Sequence, residues 1–108
     1  MMFINNIVAI AIIAAASAVT SRTITLCDDP DFKNCQFPEA RPNYCWDLVL
    51  GSDRTSSLDT KGAKCEFFVD YNCFPISGSF NYTGKIEKLF LAPGLEHFDD
   101  SISSFKCQ

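Results

Sequence analysis

The chain has 108 residues, 13 acidic against 9 basic side chains for a formal net charge of -4, and six cysteines. No run of Lys or Arg interrupts this balance, and an acidic, unclustered surface argues against nucleic acid and against electrostatic binding to anionic membranes. A core of this size is marginal without covalent help, and six cysteines in a short secreted chain imply three disulfides rather than free or reactive thiols.

Residues 1–18 hold an apolar run from Ile7 to Ala16 and end on the small-x-small triplet Ala16-Ser17-Ala18. That pattern predicts a cleaved secretory signal and an extracellular protein. The run is shorter than the ~20 residues of a spanning helix, so no membrane span is expected after cleavage. Residues 19–108 are then a single domain carrying every charged residue and every cysteine.

Arg22 to Cys27 alternates with β-branched residues and predicts the opening strand. Asp28-Asp29-Pro30-Asp31 reads as a turn, with Phe32 to Cys35 returning as the second arm of a hairpin. Gln36 to Asn43 carries two prolines and no period, which marks a connection. Tyr44 to Leu50 fits a strand or a short buried turn that ends at Gly51, and Ser56 to Thr60 a short strand. Cys65 to Val69 predicts another strand, Asp70-Tyr71-Asn72 a turn, and Cys73 onward its return, with a longer insert from Phe74 to Tyr82. Lys85 to Leu91 fits a strand or a turn of helix, Pro93-Gly94 a turn, and Ser103 to Cys107 the closing strand. Short strands without a long helical period predict an all-β sandwich. The aromatic residues after Phe3 are assigned to its core, since one aromatic buries ~150–250 Å².

The two halves repeat. Cys27-Asp28 is followed by Asn34-Cys35 and Cys65-Glu66 by Asn72-Cys73 at the same distance, and each half closes on a similar hexapeptide, Ser52 to Ser57 and Asp99 to Ser104. The copies span about 22–62 and 63–108, a period of roughly forty residues.

Ile24 to Asn34 resembles the first hairpin of the βγ-crystallin Greek key family, in which an aromatic is followed by Phe or Tyr and Gly, and later by Ser. Cys27 stands at the aromatic and Asn34 at the Gly, where Asn tolerates the required positive φ. In the second copy Cys65 and Asn72 align to these positions, or Phe68 takes the aromatic place. The resemblance implies two Greek keys forming a β-sandwich of two four-stranded sheets, each lending one strand to the other. It also implies that Cys27–Cys35 and Cys65–Cys73 replace the aromatic packing, which leaves Cys45–Cys107; Cys65–Cys107 is an alternative, and 15 pairings exist in all.

Calcium-binding members carry Asn/Asp twice, two free positions, Ser/Thr and then Ser, the order of Asp99-Asp100-Ser101-Ile102-Ser103-Ser104. The first copy departs only in Ser52. Ca2+ takes 6–8 oxygen ligands from carboxylates, hydroxyls, carbonyls and water. The resemblance therefore implies Ca2+ as the one cofactor, held by crossed ligands. Asp100 and the Ser101 carbonyl would join Ser56 Oγ at one site, and Asp53 and the Arg54 carbonyl would join Ser103 Oγ at the other. Hairpin carbonyls at Asp28 and Glu66 would complete the two sites, and Asp99 would orient its loop.

Asn81-Tyr82-Thr83 is an N-glycosylation sequon. His97 is the only histidine; without a Gly-x-Ser-x-Gly elbow or further zinc ligands it supports neither a hydrolase nor a zinc site. The expectation is a secreted, monomeric, non-enzymatic βγ-crystallin-like protein that binds calcium, with no assigned protein target. The family also includes killer-toxin-like and protease-inhibitor-like members, a calcium-free effector being the competing function.

Overall fold

In the computed structural model, which describes residues 22–49 and 52–108, the hairpin of β2 (Thr25–Asp29) and β3 (Lys33–Gln36) follows a two-residue strand β1 (Arg22–Thr23). The predicted signal peptide, 1–18, lies outside the described residues, as do Leu50 and Gly51 at the end of the predicted Tyr44–Leu50 element. Next come β4 (Glu39–Ala40), β5 (Cys45–Asp47) and β6 (Ser57–Asp59), then β7 (Cys65–Phe68), β8 (Ser79–Tyr82), β9 (Lys85–Ile86) and β10 (Ser104–Cys107). Among the described residues the only helical pieces are three short 3-10 turns, and no helix is long and apolar enough to cross a membrane.

The strands form two four-stranded antiparallel sheets, ordered β3-β2-β6-β9 and β5-β10-β7-β8, and a small β1-β4 ribbon. Each half keeps three of its strands in one sheet and lends the fourth to the other: β5 of the first half pairs with β10, and β9 of the second pairs with β6. This is the two-Greek-key sandwich of the sequence reading. Its exchange of strands means neither half can close its sheet alone.

Burial follows position in the sheet. Thr25, Leu26 and Cys27 of β2 and Ser57, Leu58 and Asp59 of β6 are all buried, because both strands have neighbours on either side. Leu26, Leu58, Phe67 and Phe105 belong to one buried core cluster, in which the Phe67 ring lies 5.2 Å from Phe80 and 6.0 Å from Phe105. Full burial of one such ring contributes about 1.5–3 kcal/mol. The core takes fewer aromatics than expected: Phe37, Tyr44, Tyr71, Phe74 and Phe90 are exposed, and all five lie outside the strands, in connections and 3-10 turns.

Two local expectations change. The 36–43 connection contains β4, which pairs with β1 after Ile24 N–H bonds the Pro38 carbonyl at 3.1 Å. The return of the second hairpin starts at Ser79 rather than Cys73, so that Cys65 faces Tyr82 across it.

That shift decides the disulfides. Cys27 and Cys35 are register partners and bond. The expected Cys65–Cys73 and Cys45–Cys107 pairs do not form. Cys65 instead faces Cys107 across β7 and β10 and bonds to it, while Cys73, beyond the other end of β7, bonds Cys45.

Candidate functional site

The two hexapeptide loops meet each other. Ser56 Oγ donates to Asp100 Oδ1 at 2.9 Å, and Ser103 Oγ donates to Asp53 Oδ1 at 3.2 Å. The backbones reciprocate: Asp100 N–H bonds the Thr55 carbonyl and Asp53 N–H the Ile102 carbonyl, both at 3.0 Å. Asp53 and Asp100 share a left-handed conformation, φ 59° and 58°, which Asp adopts more readily than most residues.

Each loop is tied to a hairpin by matching bonds. Ser56 N–H reaches the Cys27 carbonyl and Ser103 N–H the Phe68 carbonyl, both at 2.8 Å. Ser57 Oγ donates to the Asp29 carbonyl and accepts from Phe32 N–H, at 2.8 and 3.1 Å. Ser104 Oγ does the same with Asp70 and Cys73, at 2.5 and 3.0 Å. Ser57 and Ser104 are fully buried, so these bonds replace water entirely. They tie each hexapeptide to its own hairpin, and each serine is the last Ser of its hexapeptide.

These correspondences align Cys27 with Phe68, not with Cys65, which selects the alternative placement of the second hairpin. The counterpart of Asp28 is then Val69. Glu66 is removed from the site: its carboxylate accepts from Ser79 Oγ at 2.8 Å and faces a groove with Lys106 and Asn81. Asn72 does take positive φ, 60°, but in the place of Asp31, while Asn34 keeps the predicted left-handed turn at 59°.

Asp28 lies with Asp29, Ser56, Asp99 and Asp100 on a cleft of about 530 Å³, with Asp53 and Arg54 also on its wall. The Arg54 guanidinium is 4.0 Å from Asp28 and largely exposed, a weak pair in water. One oxygen of Asp99, Oδ1, is buried without a hydrogen-bond partner. Burial holds the Asp99 carboxyl above the ordinary carboxylate range; the nearby Ser56 hydroxyl works against the rise and the Asp100 charge adds to it. Ser101 Oγ turns back to the Asp99 carbonyl at 3.2 Å.

Among the described residues no three His, Cys, Asp or Glu side chains gather as a ready metal cage. A cation here would draw on one or two carboxylates with hydroxyls, carbonyls and water, a donor set that suits Ca2+ and not zinc. Oxygens sharing one Ca2+ at ~2.3–2.6 Å lie roughly 3 Å apart, the spacing of Asp100 Oδ1 from Ser56 Oγ. The orphaned Asp99 oxygen is a further acceptor lacking a partner. The residues present fit the ion.

Asn81 is exposed on β8, an edge strand. His97 is exposed, its ring 4.1 Å from that of Phe98.

No protein-family model matches the chain, and neither does any curated protein. Solved structures do. A βγ-crystallin from Ciona intestinalis is 26% identical with a TM-score of 0.61, covering 80% of this chain and 99% of its own. A structure from a study of the evolution of the eye lens βγ-crystallin domain fold has 20% identity and a TM-score of 0.60, with 82% and 87% coverage. The N-terminal domain of protein S has 16% identity and a TM-score of 0.59, with 80% and 94% coverage. With its exchanged strands and its paired serine-locked hairpins, this chain has the βγ-crystallin-like fold.

Proposed function

We propose that the protein is a secreted, non-enzymatic domain that binds Ca2+ through its two Asp/Ser loops. The observation that carries this reading is the reciprocal pairing of Asp100 with Ser56 and of Asp53 with Ser103. Each pair sets a carboxylate and a hydroxyl oxygen at the separation of neighbouring calcium ligands. On binding, the hydroxyl would turn its lone pair to the ion, with the Arg54 and Ser101 carbonyls and water completing the shell. Because the ligands come from both halves, the ion would cross-link them. A ligand specific for the native state adds about 2.7 kcal/mol at a concentration 100 times its Kd. Exposed Asn81 would carry an N-glycan on the secreted product.

Calorimetric titration of Ca2+ into the chelator-treated, oxidised protein, followed by thermal melts with and without the ion, tests the reading. Saturable heat and a raised midpoint are expected. Neither heat nor shift would leave a calcium-free scaffold and turn attention to the effector reading.

A further inference from the structure

We propose that the N-glycan on Asn81 guards the open edge of β8 against pairing with β8 of a second copy, and so keeps the protein monomeric. The proposal rests on the secreted, glycosylated reading and goes beyond it, because there the glycan has no task.

The two four-stranded sheets end on β3 and β9 and on β5 and β8. An edge strand presents unpaired backbone N–H and C=O groups, a template for a further strand unless charge, shortness or a backbone irregularity interrupts it. Three of these edges have such a device. β3 carries Lys33 and is broken by Asn34 at φ 59°. β9 is two residues long and starts on Lys85. β5 has three residues and ends on Asp47, and the 3-10 turn Tyr71–Cys73 is tied to it by the Cys45–Cys73 disulfide and by Asn72 N–H to Asp47 Oδ1 at 2.7 Å. β8, Ser79-Phe80-Asn81-Tyr82, has no charged residue, no Pro and no left-handed residue.

The ladder fixes what β8 presents. Val69 N–H bonds the Gly78 carbonyl at 3.1 Å, and antiparallel alternation then makes Phe67/Phe80 and Cys65/Tyr82 the bonded pairs. Ser79 and Asn81, opposite Phe68 and Glu66 in the alternate pairs, turn their backbone N–H and C=O away from β7, along the open edge. The next ladder agrees: Gln108 N–H bonds the Lys64 carbonyl at 2.8 Å, which directs the backbone groups of Glu66 to Lys106 and not to Asn81. The sequon residue is therefore one of the two that present the edge.

Its exposed side chain opens on a groove of about 610 Å³ walled by Glu66, Lys106, Lys64 and Gln108, polar groups that can bond the hydroxyls of a first sugar. A second β8 would have to lie ~4.8 Å away. An antiparallel pair about a two-fold axis puts both Asn81 side chains on the same face, so each glycan fills space the other needs.

The full chain is expressed through a secretory route as wild type, Asn81→Gln, Thr83→Ala and Asn81→Lys, and the mass of each product in solution is measured by light scattering over a range of concentrations. All three variants lose the glycan, but Asn81→Lys puts a charge on the edge in its place. The wild type and Asn81→Lys should stay monomeric. Asn81→Gln and Thr83→Ala should shift with concentration toward twice the polypeptide mass. All four should melt alike when dilute, which separates association from misfolding. Monomeric Asn81→Gln and Thr83→Ala, or an Asn81→Lys that associates as they do, would overturn the proposal while leaving glycosylation intact. A wild type secreted without a glycan would overturn both. Should Asn81→Gln fail to fold, Thr83→Ala, which leaves β8 itself unchanged, answers the same question.

Discussion

Ser56 Oγ lies 2.9 Å from Asp100 Oδ1 across 44 residues of sequence, joining the end of the first half to the end of the second. The bond draws one partner from each half, so it depends on both being folded together. The mirrored bond from Ser103 to Asp53 makes the joint reciprocal.

Replacing Asp100 by Ala removes a charged oxygen from that joint. Calcium affinity at one site should fall about tenfold or more, each factor of ten being 1.4 kcal/mol. Asp29→Ala, whose carboxylate is occupied by the Asn34 amide, should have the smaller effect by calorimetry. Equal losses would sink the assignment of the loops.

Ser57→Ala and Ser104→Ala should destabilise the metal-free protein by similar amounts. Each leaves a part-buried carbonyl and an N–H without the buried hydroxyl they share, at up to about 1–3 kcal/mol per unsatisfied group. With roughly 4–8 °C per kcal/mol in a domain of this size, melts followed by circular dichroism resolve the change. A midpoint within a degree of wild type for either variant contradicts the locking role.

Peptide mapping under non-reducing conditions should recover Cys27–Cys35, Cys45–Cys73 and Cys65–Cys107. The last closes the longest loop, with a separation of 42, and chain entropy assigns it about 4 kcal/mol. Reductant should therefore lower the midpoint steeply, and the double variant Cys65→Ser with Cys107→Ser should reproduce the largest single share of that loss, short of half. An unchanged melt in reductant would show that packing alone suffices.

Expressed through a secretory route, the protein should appear in the medium with its N-terminus at Val19 and with a mass that falls on enzymatic removal of N-glycans. Asn81→Gln should abolish the mass shift without altering the melt, as Asn81 is exposed. Retention of the full chain in membranes would favour an anchor instead.

Much of this was legible in the residues. The duplicated hexapeptides, the strand alternation from Arg22 to Cys27 and the six cysteines indicated two β-rich halves held by disulfides, because such signals are local: side-chain period, turn chemistry and spacing along the chain. Asn34 announced its left-handed turn for the same reason. The crossed pairing of Asp and Ser came through the family likeness, not through any property of the loops taken alone.

Tertiary structure decided the rest. Whether Cys65 bonds Cys73 or Cys107 depends on where the second hairpin turns back, and a return at Ser79 rather than Cys73 moves every partner across the ladder. The same shift exchanges Glu66 for Val69 beside the Asp53 loop. Phe67 and Phe74 look alike in sequence, yet one is fully buried and the other 54% exposed, because only a facing sheet can cover a ring. The chain by itself determined which residue types and local conformations were available; long-range register determined which of them met.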